Sequence, residues 1–210
     1  MTEEFDDAIC PGCPLPHEDG AERPWRNYQA GEELLSQGQV HPDLLRIRSG
    51  VVLLTALDAS GEETLVCLRG AGACFNLDSI EGRPSMVRAE ALTDVVVCHL
   101  SGDNLCQAVR DGGDSAPALL SLALDEARAW ATGRRRASGR RAVARLAQLL
   151  LEMDGLGSPP ASVPRTLIAR LLSIRPETLS RTIQELRDAG AIGADLDLID
   201  RGKLSRLARS

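Results

Sequence analysis

Cys10 and Cys13 stand two residues apart in the stretch Cys10-Pro11-Gly12-Cys13-Pro14. Thiolates are soft anionic ligands, and this spacing lets two sulfurs reach one iron–sulfur or zinc centre. The same pair can instead cycle as a dithiol. Cys67, Cys74, Cys98 and Cys106 complete the cysteine set. Unliganded cysteines of this kind serve as small buried hydrophobes. The histidines are His17, His41 and His99, and no Ser/His/acid or phosphate-loop pattern accompanies them. His99 reads as a sheet residue rather than a base. A CxxC oxidoreductase is therefore the weaker reading, because the pair lies on a proline-rich arm without a βαβ context. The expectation is a protein that is not an enzyme.

A second set of residues could read nucleic acid. Glu177, Ser180, Arg181 and Gln184 recur at helical spacing, opposite a stripe of Leu179, Ile183 and Leu186. Arg can pair bidentately with guanine, Glu can accept from the cytosine amino group, and Ser can meet base or backbone. Arg175, just before this stretch, joins them. Arg165–Leu172 and Pro176–Ala189 form two helices joined by a tight turn. Ala169 is small where they cross, and Ser173 stands where Gly is more usual. That is the layout of a helix-turn-helix whose second helix enters the major groove.

The elements around these residues change period along the chain. Residues 1–24 form a stiff, cysteine-containing arm. Residues 25–113 read as short strands separated by turns, in a sandwich or roll. Arg46–Leu54 is apolar and β-branched, with Glu63–Leu68 as its return strand. Met86–Ala91 and Val95–Leu100 read as a second such pair. Within residues 114–138, Ala116–Arg136 is helical, and Leu120, Ala123, Ala127 and Trp130 step as in a short coiled-coil seam. That seam predicts a homodimer, with Gly133 and Gly139 at a fraying end or hinge. Residues 139–210 hold the reader domain: a helix over Ala142–Met153, the helix-turn-helix, and a small hairpin over Ile192–Ile199.

Charge divides the same way. The chain has 210 residues and a net charge of −6. Met1–Gly113 holds 8 Arg and Lys against 19 Asp and Glu, whereas Asp114–Ser210 holds 16 against 11. Ten arginines between Arg134 and Arg181 face only Glu152, Asp154 and Glu177. A basic half behind an acidic half suggests a polyanionic partner for the second, against a solvated arginine-rich helix that charge alone favours; with the helix-turn-helix, the expected partner is double-stranded DNA. For Arg134–Arg145, a solvated linker, phosphate contacts and domain coupling are all open. Five aromatic residues are too few for stacking to hold a single strand. No apolar run approaches the ~18–20 residues of a membrane span, and the acidic start lacks a secretory signal. The expectation is a cytoplasmic protein.

The sequence resembles the bacterial regulators related to the cAMP receptor protein and the fumarate–nitrate reduction regulator, the CRP/FNR family. Ala30-Gly31-Glu32-Glu33-Leu34, Leu45–Val52 and Gly61-Glu62-Glu63 are similar to the turns and strands of its β-roll. Glu177-Thr-Leu-Ser180-Arg181 resembles the recognition helix of the fumarate–nitrate branch. The resemblance implies an α+β fold: a β-roll sensor (a double-stranded, cupin-like β-helix), a long dimerisation helix and a C-terminal winged helix-turn-helix. It also implies a palindromic TTGAT-like site and contact with RNA polymerase. Leu167 departs from the acidic residue often found in the first helix.

The cAMP-binding branch holds phosphate with a Glu and an Arg-Ser pair. Here Arg83 remains but no matching Glu follows Gly72, which disfavours a cyclic nucleotide. The fumarate–nitrate regulator carries a [4Fe–4S] cluster on three N-terminal cysteines and one from the roll. By resemblance Cys10, Cys13 and Cys98 are ligands, since Ala91–Leu100 aligns with the segment carrying the roll cysteine. Asp19 stands where the family has its third N-terminal cysteine, with His17 nearby. Cys74, Asp19 and Cys106 compete for the fourth place, with Cys67 behind. Oxygen, another oxidant or nitric oxide is the implied signal. A thiol–disulfide, zinc or haem switch on the same fold is the alternative.

Overall fold

The computed structural model describes residues 25–57, 61, 63–112, 115–137, 141–157, 160 and 163–209, with the backbone alone for 132–137. Cys10, Cys13, His17, Asp19 and Gly139 lie outside the described residues. Eight strands come first: β1 (Trp25–Tyr28), β2 (Glu33–Leu35), β3 (Asp43–Ser49), β4 (Val52–Leu57), β5 (Glu63–Arg69), β6 (Cys74–Phe75), β7 (Arg88–Ala91) and β8 (Val95–Ser101). They form two antiparallel sheets, ordered β1-β8-β3-β6 and β2-β7-β4-β5. Six helices follow: α1 (Gly102–Arg110), α2 (Ser115–Ala137), α3 (Ala142–Gly155), α4 (Arg165–Leu171), α5 (Pro176–Asp188) and α6 (Arg201–Leu207). This is the α+β architecture expected: a β-roll, a long helix and a helix-turn-helix domain.

Alternation builds the roll. Leu45, Ile47, Val95 and Val97 of the first sheet meet Val52, Leu54, Ala89 and Ala91 of the second in one buried cluster. The intervening residues face outward, and each outer face is covered. Leu44, Cys74, Cys98 and Leu100 pack with Leu105 of α1 and with Ala118, Leu119 and Leu122 of α2. On the second sheet, Leu53 and Leu68 join Leu146, Leu150, Ile168 and Leu186 in the core of the helical domain. Sensor and reader thus share one apolar cluster. Each fully buried leucine contributes roughly 1.5–3 kcal/mol.

The strand pairing differs from the sequence reading in two places. Arg46–Leu54 is interrupted at Gly50, and β3 and β4 lie in different sheets. Gly50 has φ 83, and a Cβ there would meet the Asp94 carbonyl at 2.2 Å. Only glycine lets the chain cross between sheets at that point. The stretches around β7 and β8 do not pair with each other either. β7 lies between β2 and β4, while β8 lies between β1 and β3. β7 alternates and β8 is a nearly continuous apolar run, and neither pattern says which partner each would choose. The expected hairpin over Ile192–Ile199 is a single bridge, Ile192 to Leu198, with Leu196 at φ 64. α2 continues through Gly133 to Ala137. Among the described residues, no helix is long and apolar enough to cross a membrane.

Candidate functional site

The reader surface starts from the turn between α4 and α5. Ser173 has φ 48, and the Ile174 N–H donates to the Ala169 carbonyl at 3.0 Å. Arg145 of α3 donates to the Leu172 carbonyl at 2.8 Å, satisfying an exposed end of α4. Arg145 therefore serves the fold of the reader. Pro176 opens α5 at its first turn, with Glu177 beside the positive end of the helix dipole. Leu179, Ile183 and Leu186 are buried together with Thr182. Arg175, Glu177, Ser180, Arg181 and Gln184 are all exposed.

The exposed side chains differ in how they are engaged. The Ser180 hydroxyl donates to the Pro176 carbonyl at 3.1 Å, leaving its oxygen lone pairs outward. Gln184 donates to Asp188 at 2.8 Å. Among the described residues, no hydrogen bond or ion pair engages Glu177 or Arg181. An acceptor and a forked donor thus stand free, one turn apart, at the start of an amphipathic helix. That arrangement can meet base edges in a major groove.

Not every arginine of the basic half faces outward. Arg170 of α4 pairs with Glu63 at 3.3 Å and Glu90 at 3.9 Å on the second sheet. Arg88 bridges the same two acids and Glu33. Arg141 meets Glu185 at 3.5 Å. Arg170 therefore couples reader to sensor, a role that its count in the basic excess concealed.

The sensor cysteines fall on different faces. Cys98 of β8 and Cys74 of β6 both lie opposite Arg46 of β3. Trp25 of β1 lies opposite Cys98, completing a row across the first sheet. The row is on the outer face, with Cys98 and Cys74 in the cluster that α1 and α2 cover. Cys67 instead points into the roll interior. Cys106 lies on α1 and donates to the Ile80 carbonyl at 3.4 Å. No disulfide joins these four cysteines. Of the contested fourth ligands among the described residues, Cys74 shares a sheet face with Cys98. Arg46, itself buried between them, was not among the residues singled out from the sequence.

The expected dimer seam divides. Leu120 is 62% exposed, and Ala127 is exposed. Ala123 is half-buried, and Leu124 is 48% exposed although it was not in the seam. Trp130, expected in the seam, packs with Ala129 against the roll core. The outward row runs Leu120, Leu124, Ala127, spaced by four and three along one helix face. Between α2, the β5–β6 turn and the end of α3 lies a cavity of about 620 Å³, lined by Arg69, Cys74, Arg128 and Glu152 among others.

Two other sensor features bear on ligands. Arg83 is exposed and pairs with Glu81 at 2.8 Å on the surface. The other is the trio His41, Asp43 and His99, whose ligating atoms lie within 4.8 Å of one another. The alternation His41-x-Asp43 is its signal in the sequence. Burial holds His99 below the usual histidine range, although Asp43 acts in the opposite direction.

The comparisons with known proteins agree with this division. Residues 25–111 match the cyclic nucleotide-binding domain, and residues 144–207 match the Crp-like helix-turn-helix domain. None of the curated proteins matches the chain. Among solved structures, the chain is similar to FixK2 from Bradyrhizobium japonicum, at 23% identity and a TM-score of 0.75, covering 89% of this chain and 98% of that one. It is also similar to TTHB099, a CRP-family transcriptional regulator from Thermus thermophilus, at 21% identity and a TM-score of 0.70, covering 88% and 97%. The c-di-GMP-responsive regulator CLP of Xanthomonas campestris shares the fold at 18% identity and a TM-score of 0.64, covering 81% and 89%. With a β-roll sensor ahead of a Crp-like reader, the chain belongs to the CRP/FNR family of DNA-binding transcription regulators.

Proposed function

We propose that this regulator belongs to the fumarate–nitrate branch and senses oxygen, another oxidant or nitric oxide through an iron–sulfur cluster, [4Fe–4S] by resemblance. It binds a palindromic TTGAT-like site as a homodimer and contacts RNA polymerase. The observation that carries the reading is the placement of Cys98. It is buried on a sheet face that α1 and α2 cover, in one row with Cys74 and with Arg46 of β3 between them. Soft sulfur donors in one row with a cation are the chemistry that an anionic iron–sulfur centre takes, which supports this reading. Cys98 and Cys74 would hold it, together with Cys10 and Cys13. When bound, the group supplies an oxidant-sensitive centre.

The chain's own residues transmit the change. Ala118, Leu119 and Leu122 of α2 pack on the strip that holds Cys98. A change in charge or volume at that strip alters the seating of α2. The opposite face of α2, with Leu120, Leu124 and Ala127, meets the second copy. Arg170 and the shared apolar cluster tie the reader to the roll, so a shift of α2 acts on a reader that is already docked. Such a signal must differ in affinity between the two arrangements to move their populations. At the operator, Glu177, Ser180 and Arg181 read bases, while Arg175 and Gln184 support them.

Anaerobic purification with visible absorption and iron and sulfide analysis tests the sensor. Iron and sulfide that are lost in Cys98→Ser support it. A colourless, iron-free anaerobic protein overturns it and favours the thiol or zinc switch. A mobility-shift assay on a TTGAT-N4-ATCAA duplex tests the operator separately.

A further inference from the structure

We propose that His41, Asp43 and His99 form a binding site for a divalent first-row transition-metal ion at one end of the roll, separate from the cysteine strip. The sheet pattern itself builds the site. Along β3 the inward positions run Ile47, Leu45, Asp43, and along β8 they run Val95, Val97, His99. An apolar column therefore ends in a carboxylate beside an imidazole. His99 Nδ1 lies 3.0 Å from Asp43 Oδ2. The His41 ring comes in from the segment before β3, its centroid 5.7 Å from that of His99. All three ligating atoms lie within 4.8 Å of one another, so small side-chain rotations bring them to one ion.

The surrounding shell orients the ligands. The Tyr28 hydroxyl lies 3.0 Å from His99 Nε2. With Nδ1 on a metal, Nε2–H donates to that hydroxyl, which fixes the tautomer. The Asp43 N–H donates to His41 Nδ1 at 3.2 Å and holds the ring; when Nε2 is the ligand, the Asp43 carbonyl, 3.4 Å from Nδ1, can accept the Nδ1 proton instead. The Asn76 amide donates to the carbonyls of Asp43 and His41, at 2.8 and 3.4 Å, and pins the segment that carries both. Asn76 sits at φ 67, a conformation that L residues rarely adopt, to do so. Two imidazoles with one carboxylate select zinc, cobalt, nickel or ferrous ions over calcium and magnesium, which prefer all-oxygen sites. His99 is buried while His41 and Asp43 are partly exposed, leaving an entry path and room for water as a further ligand.

The site does not share ligands with the proposed cluster. Cys98 and His99 are sequence neighbours, but they point to opposite faces of β8. The test is titration of the full-length chain with cobalt(II) chloride, in the wild type and in a Cys10→Ser/Cys13→Ser background. The expected result is one cobalt per chain in the Cys10→Ser/Cys13→Ser background, with visible d–d bands and no sulfur-to-cobalt charge-transfer band, and the same d–d bands in the wild type. Tyr28→Phe should weaken binding about 10–100-fold, and His41→Gln by more. Because His41 is partly exposed, His41→Gln should melt like the metal-free wild type, and zinc should raise the melting temperature of the wild type but not of the variant. Absence of cobalt binding overturns the proposal, as does binding unchanged in His41→Gln. Cobalt binding that is lost altogether in the Cys10/Cys13 variant also overturns it. None of these outcomes depends on whether the chain carries iron.

Discussion

On α5, Glu177 and Arg181 stand in solvent with no protein partner among the described residues, whereas Cys98 and Cys74 on the first sheet are 1% and 2% exposed beneath α1 and α2. The reader keeps its chemistry outside because its target is another macromolecule. The roll keeps these sulfurs packed against α1 and α2. The reader face follows from one helix and its period. The sensor strip needs three strands from distant parts of the chain to bring Cys98, Arg46 and Cys74 into one row. One surface is local and the other is not, and that difference decides which mutations should act independently.

The largest effects should come from the cores. Leu54→Ala in the roll and Leu150→Ala in the reader should each cost about 2–5 kcal/mol in chemical denaturation. Because Leu53 and Leu68 join the reader's cluster, both variants should lower one shared transition. Two separate transitions would break the coupling between sensor and reader. Next, Arg181→Ala should lose about 1–3 kcal/mol of discrimination against a substituted operator, with the melting temperature unchanged. Equal affinity for both duplexes in the wild type would show that this face does not read bases. Ser101→Ala removes the hydroxyl that accepts from the Asn104 N–H at the start of α1, at a cost of about 1 kcal/mol. Arg170→Ala should change stability by under about 1 kcal/mol, since its pairs are partly solvated. Its clearer effect should be on how DNA affinity responds to the signal.

A separate effect is a pH slope. Burial pushes the Glu126 carboxyl of α2 up to about 7 from 4.5, while Arg69 acts the other way. The folded chain therefore holds this proton when the unfolded chain has released it. Stability should fall as pH rises from about 4.5 to about 7 and level off above. Glu126→Gln should flatten that slope in thermal melts.

Much of the reader was legible because its signals are short-range. Ser173, Pro176 and the Leu179–Ile183–Leu186 stripe mark a turn and a helix face within a few residues. The helix ends fell within one residue for α4 and α5. Trp130 packs on the roll core, and its spacing suits both a seam and a roll-facing ridge, which only packing distinguishes. Arg170 and Arg145 counted as basic surface until their partners were visible. His99 read as an ordinary sheet residue because its neighbours Asp43 and Tyr28 are 56 and 71 positions away.

The sequence by itself determined the acidic sensor half, the basic reader half, the change from strand to helix period, and the polar face of α5. These depend on residue type and local spacing, which a chain carries before it folds. Tertiary structure alone decided that β7 and β8 part into different sheets and that Cys98 lies beside Cys74 under α2. It also decided that Arg170 docks on Glu63 and Glu90, and that His41, Asp43 and His99 converge. Alternating strands of similar composition pair equally well in the abstract. Only closing the roll, so that both outer faces are covered and the inner face excludes water, selects one pairing and with it the neighbours of each functional side chain.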